Sequence, residues 1–261
     1  MANFDITRAA ARAYQTSWAE RRYLVKMALV PFLLKCVCYL LAFSYGQEDN
    51  YLRLTLCMLP AYFAEGWMLS HYTRLLFLGH RWPFRPSGDF QQDIPLLRTR
   101  ARGIMSGLLV YVLINMAIGF MLSFIIRIMP TPGTDPSDIP DSLGFLLIMV
   151  LAFSFWGFRL VWLYIPYAVN MDASYYLHAL RGPLSSLSII GVWLMCIMPF
   201  FLLVQIPGSL LHHLMKDTAG DTVASFIFII LLMGVDTVKN IISTAGVGYG
   251  LQEVLGKDKA R

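Results

Sequence analysis

Six long, largely apolar stretches alternate with short polar connections along this chain: Tyr23–Tyr45, Tyr51–Thr73, Gly103–Ile128, Leu143–Ile165, Leu184–Ile206 and Val223–Val247. A helix needs roughly 20 apolar residues to cross the hydrocarbon of a bilayer, and every stretch reaches that length. A membrane β-barrel requires short segments of alternating hydrophobicity, and none of these runs alternates. The first stretch is longer than the roughly 7–15-residue core of a signal peptide and ends without a small-x-small cleavage site, so it reads as a span. The expected fold is all-α: a polytopic membrane helix bundle of six transmembrane helices.

The polar segments add detail. In residues 4–22, Ile6, Ala10, Tyr14 and Trp18 recur every four positions, while Arg8, Arg12, Gln15 and Glu20 project elsewhere. That spacing predicts an amphipathic helix in the interface, with Arg8, Arg12 and Trp18 at the headgroups. Packing of this helix on the end of the bundle is compatible with the same pattern. The connection 74–102 contains His80-Arg81-Trp82-Pro83-Phe84-Arg85-Pro86 and a short helix expected over Ile94–Arg102. Arg81, Trp82 and Arg85 can lie along anionic headgroups or dock a partner, although a charged connection needs no further purpose. Pro166 ends the fourth stretch, a short helix is expected over Asp172–Leu180, and Gly182-Pro183 breaks the chain before the fifth. Three units follow: an amphipathic cytoplasmic helix at 1–22, a six-span domain at 23–250, and a cytoplasmic tail at 251–261.

Composition agrees with the patterning. The chain is 57% hydrophobic and 14% charged, with mean hydropathy +0.58, against about 25% charged residues in a soluble domain. Its net charge of +5 points to topology and not to nucleic acid. Arg8, Arg12, Arg21 and Arg22 precede the first span; Arg74, Arg81, Arg85, Arg98, Arg100 and Arg102 lie between the second and third. Arg181 precedes the fifth, and Lys257, Lys259 and Arg261 follow the sixth, so these segments hold 14 of the 21 basic residues. The other connections carry Glu48 and Asp49, then Asp135, Asp138 and Asp141, then Lys216, Asp217 and Asp221. By the positive-inside rule both termini are cytoplasmic.

Ionisable residues within spans are costly, about 2.5–3.5 kcal/mol each on insertion scales. Five occur here: Lys35, Glu65, Arg159, Asp236 and Lys239. At 1.5 Å per residue they lie roughly 10–18 Å from the inner ends of their spans, in one slab. Asp236, Lys239, Asn240, Ser243 and Thr244 recur at spacings of three and four, which makes a polar stripe on the sixth helix. Lys35, Glu65, Arg159, Asp236, Lys239 and Asn240 therefore form the expected intramembrane cluster, with Glu65–Arg159 and Asp236–Lys35 as expected pairs. It reads either as a network locking helices or as a proton path or headgroup pocket.

Catalytic signatures are missing. No phosphate-binding loop, G-x-S-x-G or H-E-x-x-H pattern occurs, and His212-His213 with Asp217 has no nucleophile beside it. Cys36, Cys38, Cys57 and Cys196 all sit inside spans and read as apolar filler. No catalytic residue, metal or cofactor is expected. The expected partners are membrane lipids and a second membrane protein or another copy of the chain, with no nucleic acid. The leading expectation is a non-enzymatic scaffold or accessory subunit; the alternative is a transporter or lipid-handling protein working through the buried polar site.

Ala9–Trp18 leading into the first span, and Pro166…Ala179-Leu180-Arg181-Gly182-Pro183-Leu184-Ser185 at the elbow before the fifth, carry a family likeness. The layout resembles the YciC-like family of bacterial inner-membrane proteins and the membrane domain found beside glycerophosphodiester phosphodiesterases. The resemblance implies a six-span protein of the bacterial inner membrane. It implies membrane association without hydrolysis, and it carries over no catalytic residue.

Overall fold

A computed structural model describes residues 4–47, 50–86, 88–128, 141–214 and 221–259. The features expected at Glu48, Asp49, the acidic connection 129–140, residues 216–217 and Arg261 lie outside them. Every element among the described residues is helical. Five helical runs are long and apolar enough to cross a membrane: Arg21–Ser44, Phe90–Arg127, Gly144–Ala168, Leu184–Leu202 and Phe226–Leu255. Their outer faces are rich in exposed leucine, isoleucine, valine and phenylalanine, the make-up of a membrane protein.

Helix α1 (Ile6–Ala19) begins at Asp5, whose carboxylate accepts the backbone amides of Thr7 and Arg8 at 3.0 and 3.1 Å. Ala9, Ala10 and Ala13 are buried, because alanines let the helix lie close against its neighbours, α9 (Pro183–Leu214) and α10 (Asp221–Lys259). Tyr14 donates to the Cys196 carbonyl at 2.7 Å, and the hydroxyls of Thr16 and Ser17 meet those of Tyr249 and Tyr72 at 2.7 and 3.0 Å. The packed face differs from the expected one, since Trp18 turns outward at 72% exposure.

Helix α2 (Arg21–Ser44) follows with Pro31 inside it. The second apolar stretch corrects the expectation of one continuous span. It folds as α3 (Tyr51–Cys57) and α4 (Leu59–Leu78), separated at Met58 with Pro60 in the first turn of α4. Proline is tolerated there, where amides have no intrahelical partner. Helix α4 is buried almost all round from Glu65 to Arg74, in contact with α2, α5 (Phe90–Ile128), α7 (Tyr164–Ala168) and α10. Protein surrounds it, so it can carry the polar residues that exclude it from the five apolar runs.

Helix α5 (Phe90–Ile128) merges the short helix expected over Ile94–Arg102 with the third stretch. At Gly103 a side chain has no room: an added Cβ would lie 2.6 Å from the Ala168 carbonyl oxygen and 2.6 Å from Arg74 Nη1. The fourth stretch runs as α6 (Asp141–Gly157), a 3₁₀ turn (Phe158–Trp162) and α7 (Tyr164–Ala168). Asp172 caps α8 (Ala173–Ala179), and Gly182, at φ +119, redirects the chain into α9. Helix α10 reaches Lys259, so most of the expected tail at 251–261 is helical. Leu251, Val254 and Leu255 are buried on one face, and this helical spacing carries the core beyond Val247, where the apolar stretch read from the sequence ended.

Candidate functional site

Among the described residues, the largest concentration of ionisable groups lies where α2, α4, α5 and α10 meet. Lys35 Nζ on α2 is 2.5 Å from Glu65 Oε1 on α4 and 2.5 Å from Asp236 Oδ2 on α10. One turn along α10, Lys239 Nζ is 2.5 Å from Asp236 Oδ1. Asn240 Nδ2 donates to Glu65 Oε1 at 2.9 Å and to Asp236 Oδ2 at 3.4 Å. From α5, Tyr111 Oη donates to Glu65 Oε2 at 2.6 Å. Two ammonium groups and two carboxylates make the set neutral, and each of the four carboxylate oxygens accepts at least one hydrogen bond.

Helical register explains the convergence. Asp236, Lys239 and Asn240 stand three and four residues apart, so they share one face of α10. Thr244 extends that face: its hydroxyl donates to the Asn240 carbonyl at 2.6 Å and meets Tyr164 Oη at 2.8 Å. The Tyr164 ring stands edge-on to Tyr111, with centroids 5.3 Å apart. This joins α7 to the network. Ser243, the other polar residue of the stripe, is buried, and its hydroxyl has no partner among the described residues.

Burial is uneven across the network. The side chains of Lys35 and Glu65 are 1% exposed, whereas those of Asp236 and Lys239 are both 32% exposed. The network is therefore closed at α4 and open along α10. Chemically it can hold four helices in register, because a buried charge deprived of its partner is strongly destabilising. It also forms a chain of hydrogen bonds from Tyr111 through Glu65, Lys35 and Asp236 to Lys239.

Two expectations change. Glu65 meets Lys35 and not Arg159, and Arg159 stands apart from the cluster. The 3₁₀ turn places it beside α8 and the start of α9. There Arg159 Nη1 donates to the Leu180 carbonyl at 3.2 Å and the guanidinium lies 4.3 Å from the Trp156 ring centroid. Counting residues along two helices does not fix which way each side chain points around the bundle, and a 3₁₀ turn interrupts the second of them. Tyr111 was not legible as a participant, since Val110-Tyr111-Val112 reads as an ordinary apolar run.

The residues expected at headgroups are on the surface. Arg8, Arg12, Trp18, Arg81, Trp82 and Arg85 are all exposed. Arg81 also pairs with Glu20 at 2.5 Å, and the Trp82 amide donates to Tyr23 Oη at 2.9 Å, so this connection is tied to the first two helices. Two arginines counted with it are interior. Arg74 Nη1 donates to the Ala168 carbonyl at 2.8 Å, and Arg100 donates to the Arg81 carbonyl. His71 is buried edge-on to Trp67, with centroids 4.8 Å apart.

Outside the spans, two carboxylates sit at helix starts. The Asp5 carboxyl is held below its ordinary value by hydrogen bonds, first from the Thr7 hydroxyl and then from the Arg8 amide. Asp172 is lowered by the amide and hydroxyl of Ser174. No group of three or more His, Cys, Asp or Glu residues is placed to hold a metal among the described residues. No protein-family model matches the chain, and no curated protein or solved structure matches it either.

Proposed function

We propose that this chain is an integral protein of the bacterial inner membrane, acting as a non-enzymatic scaffold or accessory subunit that binds lipid or a partner membrane protein. In this reading α3 and α4 supply a sixth crossing shielded by the other helices, and both termini are cytoplasmic. Helix α1 lies at the headgroup layer with Arg8, Arg12 and Trp18 outward, and Arg81, Trp82 and Arg85 face the same layer. The basic segments before the first, third and fifth spans and after the sixth support that orientation.

The observation that carries the scaffold reading is the closed inner half of the ion network. Lys35 is neutralised by two carboxylates, and Glu65 is held from three helices by Lys35, Tyr111 and Asn240. Groups so fully engaged hold helices together; a substrate would have to displace them. The partial exposure of Asp236 and Lys239 favours a second reading, a transport or proton pathway entering along α10.

Native mass spectrometry of the protein, gently extracted from its own membranes, separates the two. A partner subunit at fixed stoichiometry, retained by the native chain and by Asp236→Asn, is the outcome expected of a scaffold. A lone chain carrying one small molecule that is lost on Glu65→Gln would overturn that reading in favour of transport.

A further inference from the structure

Arg159 is the intramembrane charge that the ion network does not use, and its surroundings form a small receptor. A cavity of about 160 Å³ is lined by Phe155, Trp156, Arg159, Gly182 and Ser186. A single water needs only roughly 10–15 Å³ of such space, so the cavity admits a group much larger than one water. No carboxylate is among the described residues lining it.

The cation is held in place, with no carboxylate paired to it among the described residues. The Trp156 ring supports one face of the guanidinium, and the Leu180 carbonyl takes one Nη1 hydrogen. Tyr176 Oη donates to the Arg159 carbonyl at 2.8 Å, which pins the backbone. Nε is buried and has no hydrogen-bond partner among the described residues, so protein groups satisfy the guanidinium only in part. Opposite stands the start of α9. Gly182 immediately precedes this 32-residue helix, and Ser186, 2% exposed, lies in its first turn. Pro183, the first residue of the helix, has no amide hydrogen, but the amides of Leu184 and Ser185 that follow it lack intrahelical partners, and such amides attract anions.

We infer that this cavity binds the phosphate of an anionic membrane phospholipid, through the Arg159 guanidinium and the first turn of α9. Planar guanidinium groups match phosphate oxygens in a bidentate fashion. A lipid is favoured over free phosphate because the cavity wall is apolar and exposed: Phe155 and Trp156 line it and are both exposed, and the exposed Phe153 ring lies 6.2 Å from that of Trp156, centroid to centroid, which gives acyl chains a wall to follow. This rests on the lipid-binding part of the proposed function and names its lipid class.

The test uses purified full-length protein, stripped of lipid and titrated with phosphatidylglycerol by native mass spectrometry. Inorganic phosphate and phosphatidylcholine serve as competitors, and Arg181→Gln as the control for a neighbouring exposed charge. One phosphatidylglycerol should bind tightly. Its affinity should fall about tenfold or more in Arg159→Gln, as expected for one lost charge-assisted hydrogen bond. Arg159→Lys, which keeps the charge but not the fork, should be intermediate, and Ser186→Val should also weaken binding. Arg181→Gln should bind as the native chain does. Displacement by millimolar inorganic phosphate alone would reassign the site to free phosphate and overturn the lipid proposal. Unchanged lipid retention in Arg159→Lys and Ser186→Val would overturn it even if Arg159→Gln failed to fold. A partner subunit seen in the gentle extract is a separate mass, so the scaffold reading stands or falls independently.

Discussion

Lys35 and Arg159 are both cations within helical runs of this bundle, and their environments are opposite. Lys35 is enclosed, with two carboxylates at 2.5 Å and a third helix contributing Tyr111 to the same network. Arg159 has an indole face and one carbonyl, an unpartnered Nε, and a cavity beside it. The contrast shows how differently a costly charge can be accommodated. Full internal compensation ties helices together and leaves little for a ligand to do. Partial compensation leaves a residual demand for an anion, which makes a site.

The largest effect expected from breaking this contrast is at Lys35. Lys35→Met leaves the buried Glu65 without its ammonium partner, a change worth about 3–5 kcal/mol. The variant should show a large drop in folded yield and thermal midpoint after extraction. Asp236→Asn should cost clearly less, because Lys35 keeps Glu65 and Asp236 is partly exposed. Reversing the pair by Lys35→Glu with Glu65→Lys should not rescue folding, since the carboxylate introduced on α2 would then face Asp236. A recovered yield in that double variant would show the network to be a simple pair.

Arg159→Gln supplies the next comparison. Removing a cation that has no carboxylate partner among the described residues should shift the thermal midpoint of lipid-free protein far less than Lys35→Met does. A loss as large as that of Lys35→Met would mean that Arg159 is a structural lock as well.

The smallest expected effect is at Asp5, an exposed carboxylate that lies outside both regions. Its folded value is depressed below 3.8 by the Thr7 hydroxyl and the Arg8 amide. The ionised cap therefore contributes stability above pH 3.8, and that contribution is lost as pH falls through the folded value. The thermal-midpoint difference between the native chain and Asp5→Asn should be present at neutral pH and close in acid. A difference that widened in acid would contradict the sign.

Much of the architecture was legible because hydrophobic length is a one-dimensional property. Arg21–Ser44, Phe90–Arg127, Gly144–Ala168, Leu184–Leu202 and Phe226–Leu255 each contain or overlap an apolar stretch visible in the sequence. The stripe on α10 was legible for the same reason, since spacings of three and four imply one face whatever the neighbours. The division at Met58 was harder to read, because a proline such as Pro60 fits a kinked span as well as a new helix start. Tyr111 had no sequence signal, because an apolar run does not announce which of its aromatics will meet a carboxylate.

Sequence alone thus determined which stretches are long and apolar, where the basic residues concentrate, and which charges fall inside those stretches. Those quantities depend on residues close together in the chain. Tertiary structure alone decided that Lys35 joins Glu65 and Asp236 while Arg159 turns toward Trp156 and the start of α9. Depth follows from counting residues at a constant helical rise. Direction around the bundle depends on how each helix rotates to pack its small and large side chains against neighbours distant in sequence.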